Sequence, residues 1–160
     1  MTLTTHVCVG AAIGFASKNP TLGFFAGLLS HHIVDGLPHN DGGSLGAKLE
    51  NIFFPAHRRA LFFVIADIVM AIAIFLFAFA KTDFSPVLFF AVFGAVLPDV
   101  IDNSPLWSPK LRKIFPFNWY HKLHETVHFT IESKKWFWVG ILSQLSLVFI
   151  SLYFIIAWPI

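Results

Sequence analysis

Cysteine and charge are what this chain has least of. Cys8 is the only cysteine, which excludes an intramolecular disulfide and any cysteine-rich zinc site. A metal ion here has to be held by histidine and carboxylate. Asp, Glu, Lys and Arg make up only 12% of the residues, against about 25% in an average soluble domain. The formal net charge is +2, and the basic residues lie beside apolar segments rather than in one patch, so no nucleic-acid partner is expected. Met1–Thr5 contains no Lys or Arg. The basic region of a signal peptide is therefore missing, and the first apolar stretch is expected to remain in the mature protein. No Pro-Ser-Gly-His motif of acid-phosphatase-type lipid phosphatases occurs.

What fills the chain instead is apolar. Hydrophobic residues make up 56% of it, including 20 Phe, and the mean hydropathy is +0.71. These values predict an integral membrane protein, all-α, forming one membrane domain over 1–160 in contact with the lipid bilayer. Five hydrophobic segments are expected at about 7–16, 21–35, 61–80, 86–102 and 136–158. The first two are shorter than the roughly 20 residues that cross a bilayer upright, so they either span or re-enter. Thr4 or Thr5 is a cap for the first and Thr21 for the second, and Ser85-Pro86 is a cap and first-turn pair for the fourth. Trp136, Trp138 and Trp158 are interface anchors for the last.

Basic residues orient the bundle. The loops 37–60 and 103–135 hold all the Lys and Arg except Lys18 and Lys81. The positive-inside rule then places the N-terminus and both loops in the cytoplasm of a multi-pass inner-membrane protein, with the C-terminus outside. Alternating spans bring all eight histidines to that same face.

The richest stretch is Trp119–Phe129, Trp-Tyr-His-Lys-Leu-His-Glu-Thr-Val-His-Phe. Wound as a short interfacial helix, it carries His121, His124, Glu125 and His128 on one face, with Glu132 a turn beyond. Neutral imidazole is the commonest metal-binding side chain. His124–His128 also satisfies the H-E-x-x-H pattern, which raises a membrane zinc protease as an alternative. Ser30–Asp35 places His31 and Asp35 one turn apart, with His39 following; such groups are either ligands or a helix end meeting headgroups and water. Leu97-Pro98-Asp99-Val100-Ile101-Asp102 sets two carboxylates on a helix interrupted by proline, where the helix dipole disfavours them unless a cation compensates. His6 opens the first helix. Asp67 stands inside a span without a polar neighbour in sequence, and His57 beside Arg58 and Arg59 reads as solvated or headgroup-facing. Gly27–Asp35 and Gly94–Asp102 align without gaps, a short internal echo.

Thr5-His6, the Gly-x-x-Ser-His-x-x-x-Asp run at 27–35 with Pro38-His39 after it, Leu97-Pro98-Asp99 and the His124/His128 pair together resemble the bacterial membrane-bound metal-dependent hydrolase family. They also resemble small bacterial membrane proteins beginning Thr-His and carrying Ser-His-x-x-x-Asp-x-x-Pro-His. In the hydrolase family Leu-Pro-Asp precedes Ser-His-x-x-x-Asp; here the order is reversed. The resemblance implies a metal site and hydrolase activity.

The combined expectation is metal-assisted hydrolysis of a lipid-like or phosphoester substrate at the cytoplasmic interface. The metal ligands are His6, His31, Asp35, Asp99, His124 and His128. Glu125 is the catalytic base, and His39, Asp102 and His121 support the ligands from behind. The cofactor is a divalent metal, zinc with manganese or iron as alternatives. Six ligands exceed the usual three of a catalytic zinc, so either some stand behind the others or two metals share the site. A non-enzymatic, cation-handling protein is the remaining alternative.

Overall fold

The computed structural model describes residues 1–158; the final two positions of the expected domain, and the expected location of the C-terminus, lie outside the described residues. Among the described residues seven α-helices account for the architecture. They are α1 Leu3–Ala16, α2 Pro20–Asp35, α3 Arg58–Lys81, α4 Pro86–Asp102, α5 Ser108–Leu111, α6 Phe117–Val127 and α7 Phe137–Ala157. The five apolar segments therefore become α1, α2, α3, α4 and α7, and α6 is the short histidine-rich helix.

Helix ends differ from expectation at α1, α2 and α4. α1 begins at Leu3, with neither Thr4 nor Thr5 capping it and His6 already inside its first turn. Asn19, not Thr21, caps α2: its side chain accepts from the Leu22 N–H at 2.7 Å, and Pro20 takes the first helical position. Pro98 does not interrupt α4, which runs on to Asp102 with the proline fully buried. A neighbouring helix packed against the ring makes that tolerable in an apolar bundle.

α1 is the central strut, packed against α2, α3, α4 and α7. Its buried residues Val7 and Ala11 join Leu88, Val92, Ala71, Ala78 and Ile155 in one apolar core. α2 and α4 cross closely because both present small residues. A Cβ on Gly27 would run into the Ala91 carbonyl, and one on Gly94 into the Phe24 carbonyl. The contacts are reciprocal: superposing Gly27 on Gly94 also pairs Phe24 with Ala91 and Leu28 with Ala95, which lie against the opposite glycine. The sequence echo thus corresponds to a local two-fold crossing. That crossing lets His31 and Asp99 approach each other.

α3 and α7 differ from the central helices. The stretches Pro55–Lys81 and Lys134–Ala157 are long and apolar enough to cross a membrane, with mean hydropathies of 2.8 and 2.2 over their best windows. Most of both surfaces is exposed, including Phe62, Met70, Phe149 and Tyr153. At one end Lys81 donates to the Ile155 and Ile156 carbonyls at 2.6 and 2.8 Å, placing a cation on the C-terminal end of α7. At the other end the polar loops gather.

Candidate metal centre

Four helix ends and two loop segments meet at that polar end. α1 contributes His6, α2 His31 and Asp35, α4 Asp99 and Asp102, and α6 His121 and His124. Asp35 lies at the middle and is fully buried. His6 Nε2 is 3.1 Å from its Oδ1, while His31 Nε2 and His124 Nε2 are each 3.1 Å from its Oδ2. Asp99 closes the group, 3.6 Å from His6 Nε2 and 3.9 Å from His31 Nε2. One ligand atom from each of His31, Asp35, Asp99 and His124 lies within 4.8 Å of the others. The His6 and His31 rings stack at 4.1 Å. The Met1 amino nitrogen also reaches Asp35 Oδ1, at 2.5 Å.

The ring tautomers follow from the partners of Nδ1. His31 Nδ1 donates to the Ala95 carbonyl at 2.8 Å, and His124 Nδ1 to Asp102 Oδ2 at 3.1 Å. His31 is thereby fixed with Nε2 as its lone-pair nitrogen facing the centre, whereas His124 is hydrogen-bonded to a carboxylate through each ring nitrogen and gives up its Nε2 proton only to a metal. Asp102 is itself held by Arg112, whose Nε donates to Oδ1 at 2.9 Å and whose second nitrogen donates to the Asp102 carbonyl at 2.6 Å. Arg112 is thus the cation that offsets an acid at the C-terminal end of α4. His121 Nδ1 donates to Asp102 Oδ2 at 2.9 Å and remains partly exposed. Glu125 is exposed and groups with His121 and Asp102, apart from the histidines around Asp35.

His128 corrects the expected helix face. α6 ends at Val127 and His128 is extended, so Glu132 is not one turn further along the same face. The chain is drawn off the helical path by backbone pairing. Phe129 N–H donates to the Asp35 carbonyl at 2.8 Å, His39 N–H to Phe129 at 3.2 Å, and Ile131 N–H to His39 at 2.8 Å. His128 Nε2 still reaches Asp35 Oδ2, at 3.6 Å, and Asp41 Oδ2, at 3.9 Å. His39 is fully buried beside it, with the two rings 4.6 Å apart.

Electrostatics separate these loop histidines from His124. Burial by itself lowers the His124 pKa, but the hydrogen-bonded carboxylates of Asp102 and Asp35 outweigh it and raise the value to about 9. Burial, then the Met1 ammonium, push His39 and His128 down to about 4. Neutral imidazoles beside an ionised carboxylate are metal-ready donors.

No protein family, curated protein or solved structure matches this chain. The donor chemistry therefore has to speak for itself, and it fits a divalent cation. His6 Nε2 and His39 Nε2 are buried with no hydrogen-bond partner, and such nitrogens are rare unless something binds them. The buried His and Asp groups could hold a metal ion.

Sequence reasoning missed Asp41, Thr130, Arg112 and Gln144. Gln144 on α7 exchanges hydrogen bonds with the Asn40 backbone at 3.1 and 3.0 Å, and Asn40 Nδ2 donates to the Phe137 carbonyl at 2.7 Å. A lone glutamine within an apolar run was the one available signal for that clamp. His57 belongs to none of the metal-type groups. Asp67 lies elsewhere too, accepting N–H groups from Leu3 and Thr4.

Proposed function

We propose that this protein is a membrane-embedded, metal-dependent hydrolase acting on a lipid-like or phosphoester substrate at the cytoplasmic interface. The observation that carries the reading is the convergence of His6, His31, His124 and His128 Nε2 atoms, from three helices and a loop, on the buried Asp35 carboxylate. Of the converging atoms His6 Nε2 is buried without a hydrogen-bond partner, as is the neighbouring His39 Nε2, and a purely structural polar cluster has no use for either.

Membrane placement is supported by the two long apolar helices and their exposed surfaces. α1, α2 and α4 are shorter and more buried than these two, and each brings side chains to the site. The excess of Lys and Arg in the loops at that end supports a cytoplasmic placement in a bacterial inner membrane.

His6, His31, Asp35, Asp99 and His124 would hold the metal, with zinc as first choice and manganese or iron as alternatives. A bound divalent cation supplies Lewis acidity and lowers the pKa of water toward neutrality. The chain's own residues do the rest. Asp102 and the Ala95 carbonyl orient the imidazoles, and Arg112 keeps Asp102 in place. Glu125 and His121, at the outer edge beside Asp102, are positioned to exchange protons with solvent. A hollow of about 350 Å³, lined mainly by apolar Pro38, Phe129, Ile131, Trp136 and Val139 and also by Glu132 and Ser133, adjoins the site through Thr130. Its largely apolar walls support a lipid-like substrate.

The deciding experiment is a panel of phospholipid, phosphomonoester and acyl-ester substrates, offered to detergent-purified protein stripped with chelator and then reloaded with metal. Turnover should appear only after reloading and vanish in Asp35→Asn. Metal-loaded protein without turnover on the whole panel would overturn the hydrolase reading in favour of cation handling.

A further inference from the structure

The donors do not form one shell. His31, Asp35, Asp99 and His124 make one compact group and Asp35, His39 and His128 another, and Asp35 alone belongs to both. Together with His6 and Asp41 they exceed the roughly four to six positions of a single first-row divalent cation.

The second group is built around a cation already present, since the Met1 ammonium donates to Asp35 Oδ1 and lies 3.4 Å from His128 Nε2, the position a second divalent ion would take over. His39 Nδ1 donates to the Leu37 carbonyl at 2.8 Å, which fixes Nε2 as the lone-pair nitrogen. That Nε2 is buried and unpartnered, 3.8 Å from Asp41 Oδ2. His128 Nδ1 lies 3.0 Å from Thr130 Oγ1, and the Thr130 hydroxyl donates to Asp41 Oδ2 at 2.7 Å. With its proton committed to Asp41, Thr130 can only accept from His128, so His128 also presents Nε2 as a lone pair. The backbone bridge between His39 and Thr130 locks the two segments in register. The threonine that orients His128 therefore orients Asp41 as well.

We propose that Asp35 bridges two divalent cations, one held by His6, His31, Asp99 and His124, the other by His39, Asp41 and His128. The inference rests on the hydrolase reading where it concerns substrate. A cation pair clamps both the attacking and the leaving oxygen of an in-line displacement, which selects phosphoesters within the lipid-like and phosphoester class. The metal count itself does not depend on that reading.

The test is metal counting with Mn²⁺ on the detergent-purified full chain, by elemental analysis and electron paramagnetic resonance. The parent should hold two Mn²⁺ per chain and show the exchange-coupled signal of a pair. His39→Ala and Asp41→Asn should each hold one and show an isolated ion. Asp41 is partly exposed, so its variant carries the test if His39→Ala does not fold. One Mn²⁺ per saturated parent chain overturns the proposal, as does a coupled pair retained in the folded variants. Two ions without hydrolysis leave the pair standing and remove the hydrolase reading; one ion with hydrolysis does the reverse. A parent that binds none overturns both.

Discussion

Asp67, inside α3, accepts the backbone N–H of Leu3 at 2.7 Å. Its other oxygen takes the Thr4 N–H at 3.0 Å, and the Thr4 hydroxyl returns a bond to the Asp67 carbonyl at 3.1 Å. A carboxylate with no polar neighbour in sequence is thus a helix cap delivered from a different helix. It anchors the first turn of α1, and so the position of His6.

Asp67→Ala should therefore destabilise the protein by about 1–2 kcal/mol, the usual loss when a helix cap is removed. Thermal melting in detergent measures this. Metal should still bind, because Asp67 touches none of the donors. Abolished metal binding in a folded variant would contradict the cap.

Ligand substitutions should separate from a control. His31→Ala, Asp99→Asn and His124→Ala should each weaken metal binding, whereas His57→Ala should not. In the parent, metal at a hundredfold excess over its dissociation constant should add roughly 2.7 kcal/mol by linkage. The three variants should lose most of that rescue, read as the rise in melting temperature on metal addition. Four variants melting like the parent would leave the histidines as an interfacial belt.

Metal-free protein should be most stable near pH 6.5. His124 is raised to about 9 in the folded state, so its contribution is complete below 6.5 and is lost as pH climbs through 9. His39 and His128 are lowered to about 4, so theirs is complete above 6.5 and is lost as pH falls toward 4. Metal displaces the His124 proton, and the stabilisation it brings should therefore grow between pH 6.5 and 9. A flat melting profile from pH 4 to 9 would contradict these assignments.

The α2–α4 crossing should be intolerant of a single methyl group. Gly27→Ala and Gly94→Ala each drive a Cβ into a backbone carbonyl, which cannot swing away as a side chain could. Each should cost about 1–3 kcal/mol. Metal affinity should fall too, because the His31 bond to the Ala95 carbonyl spans this crossing.

Much of this protein is legible in its sequence. Scarce charge, long apolar runs and the Ser85-Pro86 helix start are local signals, and they located α2, α3, α4 and α7 to within a few residues. His31 and Asp35 could be paired because one helical turn separates them, and backbone geometry alone then puts them on one face. What local signals cannot contain is a contact made by a distant segment. The end of α6 was decided by the Phe129 and Ile131 N–H groups bonding to Asp35 and His39 instead of continuing the helix. The same pairing turned His39 from a flanking residue into a buried donor beside His128, and brought in Asp41 through Thr130. Asp67 and Arg112 likewise found partners far along the chain or beyond a turn. Side-chain chemistry set the inventory of donors; only the tertiary backbone pairing decided which of them share a carboxylate, because a buried N–H must find an acceptor wherever the fold offers one.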